Sequence, residues 1–106
     1  MVEITYHRQR YRLTATGHAG GRKGKDPLCA AVSALVLTLS ANVAELAAGE
    51  HVHRQELRLR EGEAWISCQP VSSMESVVMM IYDTVCSGFS LLQSLYPEHI
   101  RFRILG

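Results

Sequence analysis

Hydrophobic and polar residues alternate in five short segments of the chain, and two longer segments repeat hydrophobic residues at helical spacing. Such alternation, together with β-forming residues, is typical of half-buried strands. The predicted strands are Val2–His7, Tyr11–Thr16, His53–Arg60, Glu63–Gln69 and Ile100–Ile104. The first and second strands are joined by Arg8-Gln9-Arg10, and the third and fourth by Glu61-Gly62. The pattern therefore predicts two hairpins and one last strand.

The first predicted helix begins after Asp26 and Pro27 and continues to about Ala48, with Gly49 at the C′ position. Aspartate is a good N-cap acceptor, and proline is favoured at the first helical position. One face carries large hydrophobic residues: Leu28, Val32, Leu35, Leu39, Val43 and Leu46. A second face carries mostly small ones: Ala30, Ala34, Leu37, Ala41, Ala44 and Ala48. Two apolar faces predict burial against both the sheet and another helix, and they favour a homodimer.

A capping box of Ser72 and Glu75 predicts the start of a second helix, over about Ser73 to Leu95, and Pro97 ends it. Its predicted core positions are Met74, Val77 or Val78, Ile81, Val85, Phe89 and Leu92. The order of elements is therefore ββαββαβ. We expect residues 1–106 to form a single α+β domain, with one mixed or antiparallel sheet packed against two long helices.

Composition narrows the class of protein. The 106 residues carry a formal charge of +1, so nothing drives the whole chain towards nucleic acid or anionic lipid. The three cysteines form no CxxC pair, so the sequence indicates neither a disulfide framework nor a zinc knuckle. We also expect no cofactor. We see no signal peptide, and the apolar segment Leu28–Leu39 is expected to be too short and too polar to span a bilayer. A cytoplasmic location, with no membrane partner, is the expectation.

The segment between the first hairpin and the first helix carries the candidate chemistry. His18 follows the end of a strand, and Cys29 is the third residue of the helix. A thiol in the first turn lies near unpaired backbone N–H groups and the positive end of the helix dipole, which favour the thiolate. With a nearby imidazole it forms a nucleophile–base pair. The alternatives are a small packed cysteine and an ordinary exposed histidine.

Other residues of this segment have supporting roles. Asp26 caps the helix, or it also orients the imidazole of His18. Ser33 lies one turn beyond Cys29 and is a candidate donor to the site. The glycines predict a mobile loop that closes over a ligand: Gly17, Gly20, Gly21 and Gly24. Cys68 and Cys86 fall in a predicted strand and helix, where they are expected to pack in the core.

The strings GHAG, GKD and CAAVSAL, at residues 17–20, 24–26 and 29–35, resemble the ribosomal-processing cysteine protease family known as Prp. The resemblance extends over essentially the whole chain. It implies a cytoplasmic, usually homodimeric endopeptidase that removes an N-terminal extension from the twenty-seventh protein of the bacterial large ribosomal subunit. It also implies cleavage after an extended hydrophobic segment ending in paired phenylalanines. His18 and Cys29 take the catalytic positions, and Asp26 takes that of the motif aspartate.

Two other functions remain open at this stage. One is a ribosome-associated binding module without catalysis, in which the loop binds a partner and Cys29 is only buried. The other is a metal site that uses His18 and Cys29, with Asp26 as a third ligand. That set is small compared with the ligand sets of structural and catalytic zinc, so no metal site is predicted.

Overall fold

The computed structural model describes residues 1–17 and 26–106, and its elements follow the predicted ββαββαβ order. The strands are β1 (Val2–His7), β2 (Arg12–Thr16), β3 (Val52–Arg60), β4 (Glu63–Pro70) and β5 (Ile100–Leu105). The helices are α1 (Pro27–Ala48) and α2 (Glu75–Leu95), and Arg8–Arg10 and Ser72–Met74 form short 3-10 turns. The predictions for His18, Gly20, Gly21 and Gly24 fall outside the described residues.

The five strands form one mixed sheet in the order β3-β4-β2-β1-β5. All neighbouring pairs are antiparallel except β1 and β5, which are parallel. Burial alternates along β2 as the sequence pattern predicts, whereas buried Thr5 in β1 and buried Ser67 in β4 interrupt the alternation. The fully buried side chains of Ile4, Tyr6, Leu13 and Ile66 lie in one core with residues of both helices. The helices therefore cover one face of the sheet, and the opposite face is not covered by the described chain.

The cores of both helices differ in detail from the predicted lines. In α1 the buried residues are Leu28, Val32, Val36, Leu39, Ser40 and Val43. In α2 they are Val78, Tyr82, Val85, Cys86, Phe89 and Leu92. Val78 rather than Val77 is buried, and Tyr82 and Cys86 enter the core beside Val85 because a wide stripe of α2 faces the sheet. These positions follow a 3.6-residue period, which a single line of spacing does not capture.

The prediction that the small-residue face of α1 is buried against another helix is wrong within one chain. Its residues Ala30, Ala34, Leu37, Ala41, Ala44 and Ala48 are all exposed. The helices instead meet through Leu35 and Gly88, where an added Cβ would lie 2.8 Å from the Leu35 side chain. The hydrophobic side of α1 thus packs against both the sheet and α2.

Two predicted helix caps differ from the structure, one at the end of α1 and one at the start of α2. Gly49 has φ −86° and ends α1 as its C-cap, while Glu50 takes the C′ position at φ 62°. The Glu50 and His51 N–H groups donate to the carbonyls of Ala47 and Leu46, which is a Schellman motif. At the start of α2, the predicted capping box is wrong. Helix α2 begins at Glu75 after the 3-10 turn, with no side-chain cap bond among the described residues.

Both helices are long and apolar enough to cross a membrane if only length and composition are considered. The most apolar windows of Pro27–Ala48 and Ser72–Leu95 have mean hydropathies of 1.8 and 1.2. The expectation that the first apolar segment is too short and too polar is therefore not supported by these criteria. Core helices of soluble proteins pass the same test, and here each helix packs one side against the sheet.

Candidate functional site

The first turn of α1 places Cys29 as the sequence predicts. The Asp26 carboxylate oxygen Oδ1 accepts hydrogen bonds from the backbone N–H groups of Leu28, at 2.9 Å, and of Cys29, at 3.4 Å. Pro27 occupies the first helical position and has no N–H to satisfy. Asp26 is therefore the N-cap, and Cys29 is the third residue of the helix, partly exposed rather than buried in the core.

Cys29 opens onto a cleft of about 590 Å³ between the start of α1 and one end of the sheet. The helix contributes Asp26, Cys29, Ala30, Val32, Ser33, Val36 and Leu37. The sheet contributes Val2, Ala15, Thr16, Gly17, Leu59 and Ala64, with Arg60, Glu61, Gly62 and Glu63 at the β3–β4 turn. The inner walls are thus hydrophobic, and charged residues lie at the turn. A cleft of this size and character suits a ligand with apolar side chains.

Gly17 fixes one wall of the cleft. Its N–H donates to the carbonyl of Gly62 at 2.9 Å, which joins the end of β2 to the β3–β4 turn. Gly17 has φ +95°, and an added Cβ would overlap the Met1 carbonyl oxygen. Glycine is required here because the conformation is left-handed and the first residue of the chain approaches closely. The β2 end, the turn and the N-terminus are therefore held together beside Cys29.

Four of the predicted site residues lie around one cleft: Gly17, Asp26, Cys29 and Ser33. Ser33 is exposed one turn after Cys29, as the helical spacing predicts. His18, Gly20, Gly21 and Gly24 lie outside the described residues, so the contact between His18 and Cys29 stays a prediction. Gly17, the residue before His18, is nevertheless part of the cleft that contains Cys29.

The other two cysteines lie in the core, as expected. Burial raises the pKa of the Cys68 thiol, while the Tyr82 hydroxyl, 3.7 Å from its Sγ, lowers it in part. Burial, followed by the charge of Asp83, raises the pKa of Cys86 to about 12. Both thiols are therefore held in the neutral form, which is neither a nucleophile nor a metal ligand. Within residues 1–17 and 26–106, no group of three His, Cys, Asp or Glu side chains is arranged to hold a metal ion.

The sequence did not identify the hydrophobic walls of the cleft. Val36 and Leu37 follow Cys29 by two turns of α1, and Leu59 and Ala64 flank the β3–β4 turn. Helical spacing from Cys29 indicates the first pair, because residues seven or eight positions apart share a helix face. Nothing in the local pattern of the second hairpin shows that its turn lies against the start of α1. That contact is set by the order of strands in the sheet.

Comparisons with known proteins agree with this architecture. A model of the family described as cysteine protease Prp matches residues 1–101. The ribosomal processing protease Prp from S. aureus, in complex with a covalently linked product peptide, is similar with a TM-score of 0.75 at 22% identity. That match covers 98% of this chain and 97% of the other.

Two further solved structures have the same fold. The S. aureus protease with a substrate peptide matches with a TM-score of 0.68 at 20% identity, over 99% of this chain and 100% of that one. SMU.848 from Streptococcus mutans matches with a TM-score of 0.67 at 23% identity, over 98% and 91%. No curated protein sequence matches the chain at a significant level.

Proposed function

The chain belongs to the cysteine protease Prp family, and we propose that it removes the N-terminal extension of a large-subunit ribosomal protein precursor. One observation carries the proposal: a partly exposed cysteine in the capped first turn of α1 opens onto a cleft with hydrophobic walls. The similar S. aureus structures, of a ribosomal processing protease with product and substrate peptides, support the choice of a peptide substrate.

The proposed mechanism uses Cys29 as nucleophile and His18 as general acid and base. The Cys29 thiol passes its proton to His18, and the thiolate sulfur attacks the scissile carbonyl carbon. His18 gives its proton to the leaving nitrogen as the C–N bond breaks, which leaves a thioester on Cys29. His18 then takes a proton from water, the oxygen of which attacks the thioester and releases the new carboxyl group. No cofactor or metal ion takes part.

The backbone N–H of Cys29 is the proposed donor to the oxyanion. To act in this way, it must leave its hydrogen bond with Asp26. The N–H groups of Leu28 and Cys29 both donate to Asp26 Oδ1, and the bond from Cys29, at 3.4 Å, is the longer one. A long bond of this kind is weak. The Cys29 N–H can therefore turn from the carboxylate to an oxyanion, while the Leu28 N–H keeps the helix capped.

The cleft walls account for the proposed preference for a hydrophobic, aromatic segment in the substrate. Val32, Val36 and Leu59 present only hydrocarbon to the space beside Cys29. An extended peptide that places aromatic side chains there removes apolar surface from water, at about 25 cal/mol per Å². On the sheet side of the cleft, the polar side chains that line the space and can contact the peptide are those of Thr16, Arg60, Glu61 and Glu63.

Homodimerisation and a cytoplasmic location are parts of the same proposal. The exposed small-residue face of α1, with Leu37 at 55% exposure, is an apolar surface that one chain leaves uncovered. Burial of that face against a second copy would account for its composition. Light scattering is expected to give twice the chain mass, and Ala41→Glu is expected to halve it. A monomeric wild-type protein would contradict this part.

Cleavage of a synthetic precursor peptide tests the function. The peptide carries a hydrophobic segment ending in two phenylalanines, and mass spectrometry locates the cut. We expect Cys29→Ser and His18→Ala to lower turnover by roughly 10³-fold or more, with unchanged circular dichroism. Cys86→Ala is the matched control, since it removes a thiol that the mechanism does not use. A folded wild-type protein that leaves the peptide intact, with an unreactive Cys29, would instead favour a binding module.

Asp26 variants separate the two roles left open for this residue. Asp26→Ala removes the cap and is expected to cost about 1 kcal/mol of stability. Asp26→Asn keeps a carbonyl acceptor for the Leu28 N–H and is expected to preserve both stability and turnover if capping is the whole role. A normal melting temperature, with lower kcat and a displaced pH profile, would show that the charge also orients His18.

A further inference from the structure

The sheet face opposite the helices carries several arginines. Five lie on the strands that the structure describes: Arg12, Arg58, Arg60, Arg101 and Arg103. Three carboxylates share the face, Glu3, Glu56 and Glu63. The net charge of +1 for the whole chain conceals this excess, because further acidic residues lie elsewhere in the protein. The face is thus more basic than the whole chain.

One row of residues crosses all five strands at the middle of this face. The register pairs Arg58 with Trp65, Trp65 with Thr14, Thr14 with Thr5, and Thr5 with Arg103. We call these five residues the arginine–tryptophan row. It contains two guanidinium groups, an indole and two hydroxyls, of which that of buried Thr5 is not accessible, and it contains no carboxylate. With about 4.8 Å between neighbouring strands, its ends are roughly 19 Å apart.

The indole ring of Trp65 holds two guanidinium groups in place. The Cζ atom of Arg12, which lies beside the row on β2, is 4.4 Å from the ring centroid, and that of Arg58 is 4.9 Å away. The indole N–H donates to Ser67 Oγ, which fixes the ring itself. An arginine held against an aromatic ring has already lost much of its conformational freedom, so less entropy remains to be lost on binding.

The charges of the row are only partly neutralised. Arg58 pairs with Glu56, but both side chains are more than half exposed, so the pair is weak. Arg103 donates from Nε to the hydroxyl of Thr5 at 3.2 Å. Among residues 1–17 and 26–106, neither Arg103 nor Arg12 has a carboxylate within salt-bridge distance. The Nε atom of Arg12 is buried and has no hydrogen-bond acceptor among those residues.

We propose that the arginine–tryptophan row, together with Arg12, binds single-stranded RNA. Guanidinium forks are the usual partners of phosphate oxygens. Guanidinium planes, two of which the Trp65 ring holds in place, are also surfaces on which unpaired bases stack. An acidic peptide would use the charges but not the planar surface. The proposal departs from the expectation of no nucleic-acid partner, and it does not depend on the proposed protease function.

Trp65 makes the site observable, because it is the only tryptophan in the chain. We would titrate the protein with a fluorescein-labelled oligouridylate of about 12 nucleotides, and follow both probe anisotropy and tryptophan fluorescence. Saturable binding with quenching of Trp65 at the same midpoint is expected. Three phosphate contacts, to Arg12, Arg58 and Arg103, predict a slope of about −2 for log K against log salt concentration.

Charge-matched variants locate the site on this face. Arg12→Gln and Arg103→Gln are each expected to weaken binding about 3- to 10-fold and to reduce the salt slope by about 0.7. Arg10→Gln is the control, because it removes one charge from the exposed turn between β1 and β2. It is expected to change affinity less than about twofold. All three variants are expected to cleave the precursor peptide at the wild-type rate.

Three results would overturn the proposal. The first is no saturable RNA binding at about 50 mM salt, or binding that leaves Trp65 fluorescence unchanged. The second is equal loss of affinity in Arg10→Gln and Arg12→Gln, which would show only a general effect of charge. The third is polyglutamate binding as tight as RNA, or a dimer that Arg12→Gln dissociates, since either would assign the face to a protein partner.

Discussion

Cys29 and Cys86 lie on the two helices that cover the same face of the sheet. Their surroundings differ in solvent exposure, in position along the helix and in access to a cleft. Cys29 is partly exposed, lies in a capped first turn and borders a cleft. Cys86 is 4% exposed within α2, where burial and then the charge of Asp83 raise its pKa to about 12. The same side chain is thus available for chemistry in one place and only fills space in the other.

The surroundings of the buried thiols are built from tyrosines. Tyr6 and Tyr82 stack with ring centroids 5.4 Å apart, and Tyr11 meets Tyr82 edge-on at 6.3 Å. Cys68 lies against the Tyr82 hydroxyl. Burial raises the pKa of all three tyrosines, so each keeps its proton. The contrast with the cleft shows that neighbouring packing, rather than residue type, separates a candidate nucleophile from a core residue.

The largest expected difference between the two regions is in alkylation rate. At neutral pH we expect iodoacetamide to modify Cys29 on the order of 100-fold faster than Cys68 or Cys86, because only Cys29 is accessible and close to a helix N-terminus. Peptide mapping after timed quenching measures the three rates in one sample, and a urea-unfolded sample gives the reference. Comparable rates for all three in the folded protein would remove the distinction.

Gly17→Ala tests whether the cleft end depends on the glycine conformation. The φ of +95° and the overlap with the Met1 carbonyl predict a loss of roughly 2 to 4 kcal/mol of stability, with a displaced cleft wall. Urea denaturation measures the loss. Gly49→Ala is the control, since Gly49 has φ −86° and the only close approach of a new Cβ, at 2.8 Å, is to the exposed His51 ring, which can move. Equal stabilities of the two variants would contradict the close approach at Gly17.

Alkaline titration tests the buried thiol. Cys86 has a reference pKa of 9.0 and a folded pKa of about 12. Between these values the unfolded chain releases the proton and the folded protein keeps it, so the free energy of unfolding falls as pH rises, by about 1.4 kcal/mol per pH unit. Cys86→Ala is expected to make the fall between pH 9 and 10 less steep without removing it, because burial also raises the pKa of the Cys68 thiol. Parallel curves for wild type and variant would contradict the raised pKa.

The smallest expected effects distinguish two stacked tyrosines. The Tyr82 hydroxyl donates to the carbonyl of Ile66 at 3.4 Å, which is a long and weak bond, so Tyr82→Phe is expected to cost about 0.5 kcal/mol. The Tyr6 hydroxyl is buried without a hydrogen-bond partner among the described residues, so Tyr6→Phe is expected to be neutral or slightly stabilising. Thermal unfolding of both variants measures the difference. A larger loss for Tyr6→Phe would show that its hydroxyl is bonded.

The sequence predicted the elements well because each depends on local signals. Asp26-Pro27 marks the start of α1, and Pro97 follows the end of α2 closely. The sequence-based predictions failed where contacts between residues far apart in the sequence determine the structure. The small face of α1 looked like a helix-packing surface, but Leu35 meets Gly88 from another side. Ser72 and Glu75 matched a capping box, yet Ser72 lies in a 3-10 turn and α2 begins only at Glu75.

The candidate site divides in the same way. The position of Cys29 in the first turn, and its cap, followed from four consecutive residues. The walls contributed by Leu59 and Ala64, and the bond from Gly17 to Gly62, depend on the sheet order β3-β4-β2-β1-β5. No local pattern encodes that order, because strands from both hairpins must pair before the turn at Gly62 reaches the N-terminus of α1.

Covalent labelling of the nucleophile tests the central claim most directly. A peptide that ends in the hydrophobic, aromatic segment, with a chloromethyl ketone in place of the scissile amide, is incubated with the protein, and the attacking thiolate displaces chloride to form a stable thioether. Mass mapping is predicted to find the modification on Cys29 alone, with loss of peptide cleavage in proportion to labelling. An adduct on Cys68 or Cys86, or continued cleavage by protein fully modified at Cys29, would contradict the account.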